Sequence, residues 1–187
     1  PSFCDSSKLL DLIKKYVTKE DYDKITIELQ KELVVCVINS TLKQVEYKSS
    51  KDNNYSDFCE WTHASCSAYP FMSPVLKNNY QYIDGGLVES TPIQEAINMG
   101  ATEIDIIVLK EEIPKLEISY IRNIFQGITT LIDLLTNELN KDDIEIGKLK
   151  AKDENVHLRF FYTPRKLTNN PLVFDDKIMS NWWDEGY

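Results

Sequence analysis

Two apolar runs limit what this chain can fold into. Residues 33–39 read Leu-Val-Val-Cys-Val-Ile-Asn, and residues 104–109 read Ile-Asp-Ile-Ile-Val-Leu. Runs this short and this rich in β-branched side chains have the pattern of strands buried on both faces, as in a parallel α/β sheet. A third strand is expected over 156–162, closed by Pro164, and shorter ones over 44–48 and 80–83. Helical patterns lie between them. Leu9, Leu10, Leu12, Ile13 and Tyr16 sit at helical spacing within 6–17, with Asp5, Ser6 or Ser7 available as a cap. Further helices are expected over 19–31, 58–67, 93–99 with Gly100 as its C-cap, 118–139, 141–150, and 175–184 with Asp175 or Asp176 as cap. The stripe of the longest, from Ile118 through Phe125, Leu131 and Leu139, is expected to face a core. Residues 48–57 read as a polar, mobile loop. Strands alternating with helices are the α/β signature.

Length and charge narrow the function. At 187 residues the chain fits one domain, and a domain this size buries about 70% of its unfolded surface, enough for a core without staples. Lys and Arg number 21 against 30 Asp and Glu, a net charge of -9. That argues against nucleic acid, which needs basic clusters, and against docking on anionic membranes by charge alone. No stretch approaches the ~20 apolar residues of a membrane-spanning helix. Cys4, Cys36, Cys59 and Cys66 form no C-x-x-C pair, and only His63 and His157 could assist them, so no metal site is expected. Two disulfides remain an open alternative, but Cys36 within an apolar strand reads as a buried free thiol. A reducing, cytoplasmic setting is the expectation, and Pro1 is followed by no leader-like basic and apolar regions.

Two segments could carry chemistry. Ile83-Asp84-Gly85-Gly86 ends a short extended run. Paired glycines allow positive φ and close backbone approach, so they can fix the Asp84 carboxylate at a sheet rim, where open α/β folds bind ligands. A plain Asp-Gly turn is the competing reading. The second segment, Ala64-Ser65-Cys66-Ser67-Ala68-Tyr69-Pro70, continues to Ser73-Pro74-Val75. By itself it describes a helix end packed closely through small residues, with prolines forcing an extended exit.

Taken in order, these segments resemble the patatin-like phospholipases. The family carries an Ala-Ser-x-x-x-x-Pro stretch, a Pro-Val pair, then D-G-G or D-G-A and a further proline. Here these stand as ASCSAYP, SPV, YIDGG and Pro92, and the flanking strands and the 170–187 stretch also fit, so the resemblance spans about 6–187. It implies a three-layer α/β/α fold with a central, mostly parallel sheet, incomplete on its N-terminal side. It implies a lipid acyl hydrolase with a Ser-Asp dyad and no cofactor. Asp84 would be the general base, with Gly85 and Gly86 holding its carboxylate. The substrate would be a phospholipid or another lipid ester, with peripheral membrane contact and an activating protein as further partners implied for the family.

The chain departs from the family at two points. None of its six glycines brackets a serine as G-x-S-x-G, and it has no glycine-rich oxyanion loop. Residues 1–187 therefore read as one patatin-like domain lacking its nucleophile segment, which the same protein would supply upstream of Pro1. Ser90 stands where the family often has Asn. Ser65 and Ser67 lack a glycine elbow and are poor substitutes for the nucleophile. His63 and His157 need no role. Trp61, Trp182, Trp183 and Tyr187 suggest a lipid-interface belt, against which stands a terminal helix packing its aromatics on the core. A catalytically inactive patatin-like module that binds lipid or protein, and an unrelated α/β binding domain, are the competing functions.

Overall fold

The computed structural model describes residues 6–113, 120–167 and 175–186. Helix α1 (Ser7–Tyr16) and helix α2 (Lys19–Asp23) open the chain. Thr18 starts α2 with a capping box: its hydroxyl accepts from the Asp21 N–H at 3.2 Å, and Asp21 accepts from the Thr18 N–H at 3.1 Å. The helix passes into a π-helical turn, Lys24–Glu28, so helical structure stops three residues before the expected 31. Strands β1 (Val34–Asn39) and β2 (Gln44–Ser49) follow as a hairpin, then helix α3 (Tyr55–Ser65). Strands β3 (Val75–Lys77) and β4 (Tyr80–Asp84) form a second hairpin. After a 3-10 turn, Gly85–Leu87, come helix α4 (Ile93–Asn98), strand β5 (Glu103–Val108), helix α5 (Ile124–Asp153), strand β6 (His157–Tyr162) and helix α6 (Asp176–Gly186).

The chain is mixed α/β, but its larger sheet is antiparallel, which corrects the expected central, mostly parallel sheet. The order is β2-β1-β4-β3, with every neighbouring pair antiparallel. Only β5 and β6 run parallel, in a separate two-stranded sheet. The reason is visible in β1. Val35 and Val37 pack with Trp61, Ala64 and Tyr82 on one side, while Cys36 meets the Gly85 backbone on the other. A helix and a turn bury both faces, so the continuous apolar run needs no parallel crossover helices.

Two apolar clusters hold the elements. The first is Val37, Trp61, Ala64 and Tyr82, joining α3 to the antiparallel sheet. The second is Ile93, Ile97, Ile106, Val108 and Ala151, joining α4 and α5 to the parallel pair. A side chain at Gly147 would stand 2.8 Å from Ile93 Cβ, so the two helices approach through a glycine. The segment between Asp84 and Pro92 connects the clusters, its 3-10 turn touching both β1 and α5.

Four further expectations need correction. The helix expected over 118–139 and the separate one over 141–150 are a single helix, α5, beginning at Ile124. Position 118 lies outside the described residues. Among the described residues the stripe on its N-terminal half faces no core: Phe125, Leu131 and Leu135 are exposed, and the buried residues of α5 are Asn140, Gly147 and Ala151. The terminal helix does not bury its aromatics, since Trp183 is 71% exposed and α6 has no buried residue. The polar loop after β2 is tethered: Asn53 accepts from the Trp61 indole N–H at 2.8 Å, and its carbonyl accepts from the Tyr22 hydroxyl at 2.7 Å. Asp175 caps α6 as expected, accepting from the Ile178 N–H at 3.0 Å. Cys36, Cys59 and Cys66 are free thiols, and Cys4 lies outside the described residues. Among the described residues, no helix is long and apolar enough to cross a membrane.

Candidate active site

Strand β4 delivers Asp84 to the sheet rim. The residue pairs with Val37 of β1, and its N–H donates to the Ser67 carbonyl at 3.0 Å. The chain then turns under β1. An added Cβ at Gly85 would lie 2.5 Å from the Cys36 carbonyl oxygen and 2.6 Å from its Sγ, so this crossing admits only glycine. The turn aims the Gly86 N–H back at Asp84, whose Oδ1 accepts it at 2.8 Å. Among the described residues, Oδ2 receives no hydrogen bond and remains open to a proton donor.

The surroundings make this carboxylate a stronger base than an ordinary aspartate. Burial pushes its pKa up, with the Gly86 N–H pulling more weakly the other way. The adjacent thiols stay neutral. Burial, reinforced by the charges of Glu89, Asp84, Asp143 and Glu95, pushes the Cys36 thiol up to about 12. Burial and then the Asp84 charge also raise Cys66. A neutral thiol is a poor nucleophile, so neither cysteine is activated here.

The other sequence candidates divide. Ser67 is fully buried, and its hydroxyl donates to the His63 carbonyl at 2.8 Å. Its structural part is to bind Asp84 through its own carbonyl. Ser65 ends α3 with no glycine elbow. His63 is half-buried, its Nε2 has no partner among the described residues, and burial lowers its pKa. His157 is exposed on β6. The ASCSAYP and DGG segments, with Ser67 and Asp84 17 positions apart, thus meet through one backbone hydrogen bond.

Sequence reading misses what holds the loop after the glycine turn. Asn140 of α5 is 7% exposed, and its Oδ1 accepts from the Ser90 hydroxyl at 2.7 Å and from the Thr91 hydroxyl. The Asp143 carboxyl faces the backbone amides of the same two residues, and burial, then the Glu89 charge, raises its pKa. Nothing in the local Glu-Leu-Asn-Lys-Asp-Asp sequence marks Asn140 as inward-facing. A hollow of about 120 Å³ opens between β1 and α4, lined by Cys36, Tyr47, Pro92 and Glu95 among others. A larger one of about 440 Å³ runs along Ile121–Leu131 of the chain and contains none of the motif residues.

A family model described as patatin-like phospholipase matches residues 1–97. The match includes the ASCSAYP stretch, Asp84, Gly85, Gly86 and Pro92, and ends within α4. No curated protein matches the chain.

Proposed function

The chain belongs to the patatin-like phospholipase family, and from this premise we propose that it forms the base-bearing part of a serine-dependent lipid acyl hydrolase. Asp84 is the general base of a Ser-Asp dyad whose serine lies on a G-x-S-x-G segment outside these residues. That segment also supplies the oxyanion donors and completes a three-layer α/β/α fold around the two sheets. The observation that carries this reading is the Asp84 carboxylate itself: one oxygen fixed by the Gly86 N–H, the other open, and burial raising its basicity.

The chemistry follows from that geometry. The serine hydroxyl donates to Oδ2 of Asp84 and transfers its proton as Oγ attacks the ester carbonyl. Backbone donors on the absent segment stabilise the oxyanion. The tetrahedral intermediate collapses, the C–O bond to the alcohol breaks, and the Asp84 proton passes to the leaving oxygen. Water then attacks the acyl-enzyme, giving its proton to Asp84, and the fatty acid leaves with the serine hydroxyl restored. Gly85 and Gly86 hold the carboxylate still through both halves. The substrate is a phospholipid or related lipid ester, met at a membrane surface without spanning it.

The test uses the protein together with the segment upstream of Pro1. It should hydrolyse a fluorogenic fatty-acid ester and be labelled by a fluorophosphonate at a serine outside 1–187. The 187 residues alone should do neither. Hydrolysis by the 187 residues alone would contradict the divided dyad, and an inert longer protein would favour a binding module.

A further inference from the structure

We propose that Asn140 is a positioning residue for Asp84, acting through the loop that follows the glycine corner. Asn140 lies on α5, outside the 1–97 family match. The inference rests on Asp84 being the base as proposed above.

An asparagine buried within a helix is a poor choice for packing alone. It forms helix less readily than leucine, and burying an amide costs free energy unless it is hydrogen-bonded. Here one oxygen of that amide takes two hydroxyl donors from adjacent residues, Ser90 and Thr91. Three positions later on the same helix the buried Oδ2 of Asp143 finds no hydrogen-bond partner among the described residues, so the grip of α5 on this segment is Asn140's.

The grip transmits to the carboxylate through consecutive bonds. The Gly85 carbonyl accepts from Val88 N–H at 3.0 Å and Glu89 N–H at 2.9 Å, tying the loop to the 3-10 turn. The Gly86 N–H within that turn holds Asp84 Oδ1. On the opposite side Gly85 abuts Cys36, so the turn cannot retreat toward β1. Asn140 and β1 therefore hold the two ends of one short segment, 85–91, whose Gly86 N–H fixes the Asp84 carboxylate. Loosening the α5 end lets the turn move outward, and water reaches the carboxylate.

The experiment compares the wild-type chain with Asn140→Leu, which keeps the volume and removes the acceptor, and with the double variant Ser90→Ala/Thr91→Val, which removes both donors from the loop side. The readout is the pH titration of the Asp84 Cγ resonance by ¹³C NMR. The titratable groups around this turn are Cys36 on β1, Cys66 after α3, Glu89 on the loop, Glu95 on α4 and Asp143 on α5, and they are unaltered in all three proteins. Both variants should shift the Asp84 midpoint down, toward the ordinary ~3.9 of a solvated aspartate. In the protein with its upstream segment, kcat should fall about 10–100-fold with KM unchanged. If Asn140→Leu fails to fold, the loop-side variant, whose Ser90 is exposed, decides alone. An unmoved midpoint in a folded variant overturns the inference. A wild-type protein without ester hydrolysis, but with the midpoint shifted in the variants, removes Asp84's catalytic role while upholding Asn140 as what sets its environment.

Discussion

Asp84→Asn in the protein carrying its nucleophile segment should lower ester turnover by about 10²–10⁴-fold, the range a positioned general base contributes. The substitution is nearly isosteric. The amide oxygen can still accept the Gly86 N–H that Oδ1 accepts now, so the glycine corner keeps its shape. What disappears is the basic oxygen to which the proposed dyad assigns the proton transfer. Stability should move the opposite way. Burial raises the folded pKa of Asp84 above its unfolded value, so between the two the folded state binds more protons than the unfolded state. Stability therefore falls as pH rises through that window, and at neutral pH the fold carries the full cost of a desolvated charge. Asp84→Asn removes this cost, so the variant should melt above wild type at pH 7. The advantage should vanish at pH values below the unfolded ~3.9, where both side chains are neutral. An inactive variant that melts higher separates lost chemistry from lost structure.

Trp61→Ala should cost about 3–5 kcal/mol, the range for emptying a large aromatic site in a core. The indole is 4% exposed and meets the Tyr82 ring edge-on at 4.8 Å. Its N–H donates to Asn53 at 2.8 Å, and the ammonium groups of Lys48 and Lys77 lie 4.6 and 5.1 Å from its ring centroid. Lys77 is itself held by Asp57 at 2.7 Å and by Glu60. Removing the ring opens a cavity against Val37 and Ala64, takes one of its tethers from the β2–α3 loop and leaves Lys77 without its aromatic face. At roughly 2–4 °C per kcal/mol for a domain of this size, the melting temperature should drop by about 6–20 °C. A thermal melt checks this, and a fall of only a degree or two would show that α3 is not clamped to the sheet through this ring.

How far the sequence discloses this fold depends on the kind of signal. Capping and period are local, so α1, α2 and α4 stand close to where their residues place them, and Gly100 closes α4 with φ 90° as its position suggests. Strand direction is not local. The run at β1 states that both faces are buried, but not whether helices of a crossover or a turn and one helix bury them. Strand β3 is only three residues long, and its hairpin depends on Asn78 and Asn79 adopting φ 52° and 65°, a two-residue turn whose Asn-Asn signal is weaker than Asn-Gly. The apolar period of α5 correctly marks a helix and misleads about its surroundings, because a stripe cannot state what covers it.

The candidate site divides along the same line. Asp84, Gly85 and Gly86 are contiguous and legible as a motif. Their support is not: Cys36 is 49 residues before Gly85, and Asn140 is 50 residues after Ser90. Such partners share a place only after folding, and neither residue type announces its role. A cysteine in a strand reads as packing, which is what it does, yet the atom it packs against is the backbone that orients the carboxylate.

The central claim is that the Asp84 carboxylate draws the proton from the attacking hydroxyl. The pH dependence of kcat/KM for a soluble short-chain ester, measured on the longer protein beside its Asp84→Asn variant, addresses it most directly. A base acts only when deprotonated, so wild-type activity should rise through a single ionisation lying above the ordinary aspartate value and then level off, while the variant's residual rate stays flat across that interval. An identical acid limb in both proteins would assign the ionisation, and the proton transfer, to another group.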